Sequence, residues 1–327
     1  MSKLTVAELK NFGTNYVAAA QQAGAWKNTS DNMYNLLDKV GKQITISNNY
    51  SDKLPELDGE ELFQKTVEEY FVDLPVIVDG PKNKGLTPED EEAYASGALR
   101  PYLPEVEDVC YSYTLGRKVI PTTIAKNNVE RAAINAEAAG TMIADITAKL
   151  AGAESLYKYA AKKQLLGNVA KATEGKDHLR VSVGELGAAS TTEGEKFIIA
   201  IKQAIEDASF AHEGGLNGAL IGATDESNLM LVVSKNVMAS LDVNVWAGAF
   251  NLDKVSFPNI TIKVVEDFGD AEGVKAMLID KRGVRLHPTY RAIRTQENSY
   301  FDSVNVFSHM EYTAFYSKYT FVRVFTA

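Results

Sequence analysis

Leu229-Met-Leu-Val-Val-Ser234, Lys235-Asn-Val-Met-Ala-Ser-Leu-Asp-Val-Asn-Val-Trp-Ala-Gly-Ala-Phe250, Ile260-Thr-Ile-Lys-Val-Val-Glu-Asp-Phe268 and Val274-Lys-Ala-Met-Leu-Ile-Asp-Lys281 follow one another in the last third of the chain. Short apolar runs rich in Val and Ile read as strands, and the run opened by Lys235 reads as a helix. From Gly283 to Ala327 short apolar and polar steps alternate and aromatics crowd together, which is the period of half-buried strands. Strand, helix, strand, strand and a closing strand-rich segment give an α+β fold.

Upstream of this block the organisation changes. Leu4 to Ala20 and Asn32 to Val40 can form helices, separated by polar Asn-Ser-Asp stretches. Residues 1–65 therefore read as an arm rather than a domain. Leu62 to Val78 ends in Leu74-Pro-Val-Ile-Val-Asp-Gly-Pro81, a strand running into a turn. Lys82-Asn-Lys-Gly-Leu-Thr-Pro-Glu-Asp-Glu-Glu92 follows, and Gly97, Pro101 and Pro104 prolong the interruption. A long, charged, proline-punctuated excursion inside a domain implies a segment that reaches something else.

Lys126 to Ala151 reads as the clearest helix. Val129, Ala132, Ala136, Ala139, Ile143, Ile146 and Leu150 recur at spacings of three and four, with Pro121 upstream and Gly152 downstream. A second helix, Glu154 to Leu166, is expected to stop at Gly167. His178 to Val183 reads as a strand. Thr191 to Ala211 reads as a helix with a capping pattern and apolar Phe197, Ile198, Ile201 and Ile205.

The 327 residues are 45% hydrophobic and 24% charged, enough to bury one large or two modest cores. No run of eighteen apolar residues exists, and Met1-Ser-Lys-Leu-Thr-Val lacks a secretory pattern, so the expectation is a cytoplasmic chain without a membrane partner. Cys110 is the only cysteine, so intrachain disulfides and thiolate clusters are excluded. A net charge of −9 argues against a generic nucleic-acid binder. Residues 121–180 alone lean positive, with 9 basic against 6 acidic residues. Within them Lys158, Lys162 and Lys163 share little more than one helical turn. The plainer account is a solvated face; the sharper one is a patch facing DNA phosphates.

Other chemistry finds little footing. Gly214-Gly-Leu-Asn-Gly-Ala-Leu-Ile-Gly-Ala-Thr224 lacks the Gly-Lys-Ser/Thr end of a phosphate loop. His178, His212, His287 and His309 are scattered. Cys110 sits in Val109-Cys-Tyr111, which reads as a partly buried strand where a free thiol acts as a small hydrophobe. Glu266-Asp-Phe-Gly-Asp-Ala-Glu-Gly273 puts four carboxylates in one turn without calcium-loop spacing and reads as a solvated connection. No cofactor and no metal is expected.

Leu241-Asp-Val-Asn-Val-Trp-Ala-Gly-Ala-Phe-Asn251, the later Leu278-Ile-Asp-Lys281 strand, and Leu103-Pro-Glu-Val-Glu107 with Tyr111-Ser-Tyr113 resemble the corresponding stretches of short-tailed phage coat proteins. The resemblance covers roughly residues 100–327 and implies the HK-ninety-seven-type fold. It implies residues 1–65 as arm, 66–120 as extended hairpin loop and lead-in, and 121–180 as peripheral domain with a spine helix. It further implies 181–287 as axial domain and 288–327 as return strands of the peripheral domain. The function it implies is a major capsid protein, hexamers and pentamers of which enclose double-stranded DNA. A scaffolding protein and a portal would be partners, assembly would take place in the host cytoplasm, and DNA contact would be weak and non-specific. Lys82, Lys84, Glu89 and Asp90 become candidates for an inter-subunit loop. Some relatives join a lysine of that loop to an asparagine of a neighbour; Lys82, Lys84, Asn298 and Asn305 lack a matching context, so no catalytic residue is carried over. An encapsulin-type nanocompartment has the same fold, and a soluble α+β enzyme using Cys110 or the Glu266–Glu272 turn is the alternative of another class.

Overall fold

Alternating and continuous apolar runs dictate two different kinds of sheet. A computed structural model of the chain describes residues 52–72, 106–125, 136–184, 191–213, 215–240 and 260–327. In chain order the elements are β1 (Val67–Val72), β2 (Val106–Tyr111), β3 (Thr114–Ala125), α1 (Ala136–Ala172), β4 (Arg180–Ser182), α2 (Thr191–Ala208), β5 (His212–Glu213) and β6 (Leu220–Ile221). They continue with β7 (Leu229–Ser234), α3 (Lys235–Ser240), β8 (Thr261–Val265), β9 (Val274–Asp280), β10 (Val284–Asn298), β11 (Ser303–Tyr316) and β12 (Val322–Thr326).

The first sheet has the order β4-β12-β9-β7-β8. Every residue of β7 is buried, because both faces of this sheet are covered. Met230 and Val232 point into a core shared with α1, whereas Leu229, Leu231 and Val233 meet Phe197, Ile201 and Ala204 of α2. A strand buried on both faces reads as an unbroken apolar run rather than an alternation. The second sheet, β10-β11-β3, is antiparallel throughout. Its β11 alternates: Met310, Tyr312 and Ala314 turn into the α1 core, while Glu311, Thr313 and Phe315 occupy the other face.

α1 is 37 residues long, about 55 Å at 1.5 Å per residue. One helix stands where two were expected, since neither Gly152 nor Gly167 ends it. Gly167 serves a close approach instead: a methyl group there would collide with the Phe268 carbonyl oxygen. The helix stops where Thr173 Oγ1 and Arg180 Nη2 donate to the Ala170 carbonyl at 2.7 and 3.0 Å, just before Gly175 at φ 76°. Pro121 is not a helix boundary either. It lies in β3, an outer strand of its sheet, where a missing N–H costs least.

Two further expectations are revised. β12 inserts between β4 and β9 of the five-stranded sheet, so the last strand does not return with β10 and β11. The end of the supposed arm is part of the body: Leu54 and Leu57 are fully buried in the α1 core. The excursion itself (73–105), residues 1–51 of the arm with both of its expected helices, Val129 and Ala132 lie outside the described residues.

Candidate functional site

The basic cluster was the sharpest sequence expectation, and its surroundings come from far away in the chain. Lys162 is fully buried. Its ammonium donates to the Asp52 carboxylate and, at 2.6 Å, to the Leu54 carbonyl, and stands 2.9 Å from Asp58 Oδ1. Lys158 lies 3.2 Å from the same Asp58 oxygen. Glu56 pairs with Lys263 of β8 at 2.6 Å. Three carboxylates of one short segment thus meet three lysines, two from α1 and one from the five-stranded sheet. The segment also reaches the other sheet: Gly59 N–H donates to the Leu286 carbonyl at 2.9 Å, and Arg285 donates to the Asp58 carbonyl at 3.1 Å. Residues 52–59 therefore act as a keystone held by the spine helix and both sheets.

This placement corrects the DNA-facing reading for Lys162, because an ammonium with no exposed surface and carboxylate partners cannot meet a phosphate. Lys158 retains 19% side-chain exposure and Lys163 retains 22%. Lys163 stands 3.0 Å from Asp267, whose carboxyl is held below the ordinary carboxylate value chiefly by that hydrogen bond. Lys82, Lys84, Glu89 and Asp90 lie outside the described residues.

The four-carboxylate turn is likewise stitched to α1. Asp267 takes Lys163, Asp270 accepts from Gln164 at 3.0 Å, and Glu266 N–H donates to Tyr159 Oη at 3.2 Å. Among the described residues no group of three ligating side chains could hold a metal, and no helix is long and apolar enough to cross a membrane. Cys110 is exposed rather than partly buried; it lies on the outward face of β2, opposite Glu68.

Two of the apolar surfaces left open among the described residues lie at strand ends. β1 and β2 pair antiparallel, with Val72 opposite Val106, so residues 73–105 leave and return through one ribbon. The inner face of the ribbon is fixed to the body. Phe71 stacks on Tyr319 at 4.4 Å, Tyr111 Oη donates to Glu69 at 2.9 Å, and Tyr319 Oη donates to Glu107. Burial, reinforced by the Glu69 carboxylate, pushes the Tyr111 phenol well up. The outer face carries Tyr70, Val72 and Val106, all more than half exposed. The second surface is the tip of the β10–β11 hairpin. Asn298 Oδ1 accepts from the Tyr300 and Phe301 amides at 3.1 and 3.3 Å, Asp302 follows at φ 44°, and the two rings project at 89% and 71% exposure. The sequence signal was present in Asn298-Ser-Tyr-Phe-Asp-Ser303: a turn between two alternating stretches that carries aromatics where polar residues are usual.

A model of the family described as Phi29-like phage major capsid protein matches residues 5–326. Among curated proteins none matches. Among solved structures the chain is similar to the capsid structure of Staphylococcus phage Andhra, with TM-score 0.60 and 13% identity over 86% of this chain and 85% of that one. It is similar to a chain in the structure of the head fiber and inner core protein gp22 of native bacteriophage P68, with TM-score 0.58 and 12% identity over 86% of each. It is also similar to a chain in the asymmetric unit of the bacteriophage PhiM1 mature capsid, with TM-score 0.53 and 12% identity over 85% of this chain and 87% of that one. At such identities the structural likeness speaks for the fold, and it agrees with an HK-ninety-seven-type α+β architecture.

Proposed function

Because the chain belongs to the Phi29-like phage major capsid protein family, we propose that its copies associate as hexamers and pentamers and close an icosahedral shell around double-stranded DNA. The protein is a coat protein of a phage head, and its place is the virion capsid. In this reading its role is structural, a scaffolding protein and a portal assist in the host cytoplasm, and DNA is touched weakly and non-specifically. The family match favours this reading over both the encapsulin-type compartment and the soluble enzyme.

The observation that carries the proposal is the β1–β2 ribbon. On its inner face Glu69 and Glu107 accept from the Ser317 and Tyr319 hydroxyls, while its outer face leaves Tyr70, Val72 and Val106 in water. A rigid base with an uncovered apolar face supports a loop that is completed by a neighbour.

Replacing residues 74–104 by Gly-Ser-Gly tests it. The shortened chain should remain folded by circular dichroism and sediment as a subunit, and electron micrographs should show no closed shells. Shells of normal size and number from that chain would overturn the assignment.

A further inference from the structure

The exposed rings at the hairpin tip have a counterpart elsewhere on the chain. A cavity of about 480 Å³ opens where β2, α1 and the end of β11 meet, and Cys110, Tyr111, Tyr113, Leu165, Tyr316 and Lys318 line it. Its volume lies in the range of pockets that bury a sizeable ligand. The floor is apolar at Leu165, the walls are aromatic, and Cys110, Tyr113 and Lys318 are exposed around it. The tip offers Tyr300 and Phe301, ring against ring at 4.8 Å, with the acidic Asp302 beside them. Aromatic rings on aromatic walls and a carboxylate toward a lysine are complementary.

The tip cannot fill the cavity of its own chain. The cavity is lined at Ala314, eleven residues along β11 from Ser303 at the tip, about 37 Å at 3.4 Å per residue. Resting on the coat-protein reading, which surrounds every subunit with copies of itself, we infer that the Tyr300–Phe301 tip of one subunit seats in the Cys110–Lys318 cavity of a second copy. The contact joins two different patches and is assigned head to tail, passing from copy to copy as a ring of subunits needs, rather than exchanged reciprocally by a pair about a two-fold axis. Two rings bury about 150–250 Å² each. That is below the roughly 1,200 Å² of a self-sufficient pair, so the contact adds to others and does not hold a dimer alone.

Cys110 makes the contact readable, since a disulfide forms only when Cα atoms come within about 7 Å. Particles of the Phe301→Cys chain, treated with a mild oxidant, should give a ladder extending beyond dimers on a non-reducing gel. The ladder should vanish in Phe301→Cys/Cys110→Ser particles and be absent from the parent chain. Bands that stop at dimers would mean tip against tip where they persist in the double variant and a reciprocal exchange between two copies where they vanish, and intact shells without bands would mean no tip contact; each overturns the inference. Should Phe301→Cys not assemble, Ser299→Cys keeps both rings, places the thiol on the same tip, and is read the same way. Micrographs of the parent chain keep the premise separate: shells without a ladder sink this contact alone, while the absence of shells sinks the coat-protein reading itself.

Discussion

Residues 52–59 and residues 298–303 are built on opposite terms. The first segment carries Asp52 and Asp58 against Lys162, a lysine with no exposed surface, and Glu56 against Lys263. The second holds two aromatic rings out in water on a turn fixed by Asn298. Charge is buried where one chain supplies both partners, and apolar surface is exposed where none of the described residues covers it. A buried ion pair gains little net stability over a well-packed apolar one, but it is unforgiving of a missing partner. An exposed ring costs its own subunit almost nothing. The keystone thus belongs to the folding of one subunit, and the tip belongs to its association.

Breaking the keystone should produce the largest effect. Lys162→Ala leaves Asp58 with Lys158 alone and strips the nearly buried Asp52 carboxylate of its ammonium, and the loss of one partner of a buried pair costs about 3–5 kcal/mol. Urea unfolding of the unassembled subunit measures it. A change below about 1 kcal/mol, the range of exposed pairs, would show that the pair is not buried in solution. Deletion of residues 1–60 would remove the keystone segment too, and with it the packing of Leu54 and Leu57. Removal of residues 1–50 is the cleaner test of arm function.

Gly167→Ala comes next. Alanine gains about 1 kcal/mol of helix propensity, yet its methyl group meets the backbone carbonyl of Phe268. Overpacking against backbone costs about 1–3 kcal/mol, so the thermal midpoint should fall. A rise in midpoint would mean that the α1 to β8–β9 contact is looser than drawn.

How far these features could be read in advance depends on how local they are. β7, β9 and α2 were legible because unbroken apolar runs and a stripe of Phe197, Ile201 and Ile205 are properties of adjacent residues. α1 was cut in two because glycine usually ends a helix, and only the Phe268 carbonyl, about a hundred residues later, explains Gly167. Lys162 looked solvated because its partners Asp52 and Asp58 are just as far away in sequence. β12 was legible as a strand from its alternation, but no period states which sheet a strand joins. The tip was legible in composition and was overlooked because the aromatics around it are numerous.

A pH series separates charge from packing on the far face of β11. Lys65 donates to Glu311, and Arg117 stands 3.5 Å away. Chiefly through the Lys65 hydrogen bond, the Glu311 carboxyl is held below its ordinary value of 4.5. A carboxyl lowered on folding contributes stability above its unfolded value, and the contribution is lost as pH falls through the folded one. The urea midpoint of Lys65→Gln should therefore lie below that of the parent at pH 7, and the gap should close below pH 4.5. Lys65 is more than half exposed, so the gap should not exceed about 1 kcal/mol. An unchanged gap at pH 3 would assign it to packing.

The smallest expected change in subunit stability is the one that completes the contrast. Tyr300→Ser with Phe301→Ser removes two large side chains, as drastic a deletion as Lys162→Ala. Both rings are already in water, however, and the Asn298 cap accepts from backbone amides that survive the substitution. Surface changes of this kind stay within about 0.5 kcal/mol, so the urea midpoint of the unassembled subunit should not move. Shell yield by sedimentation should fall, because the fold loses nothing and every copy loses an apolar contact. A destabilised subunit would place the rings against their own chain, and undiminished shells would mean that the tip faces solvent in the particle as well.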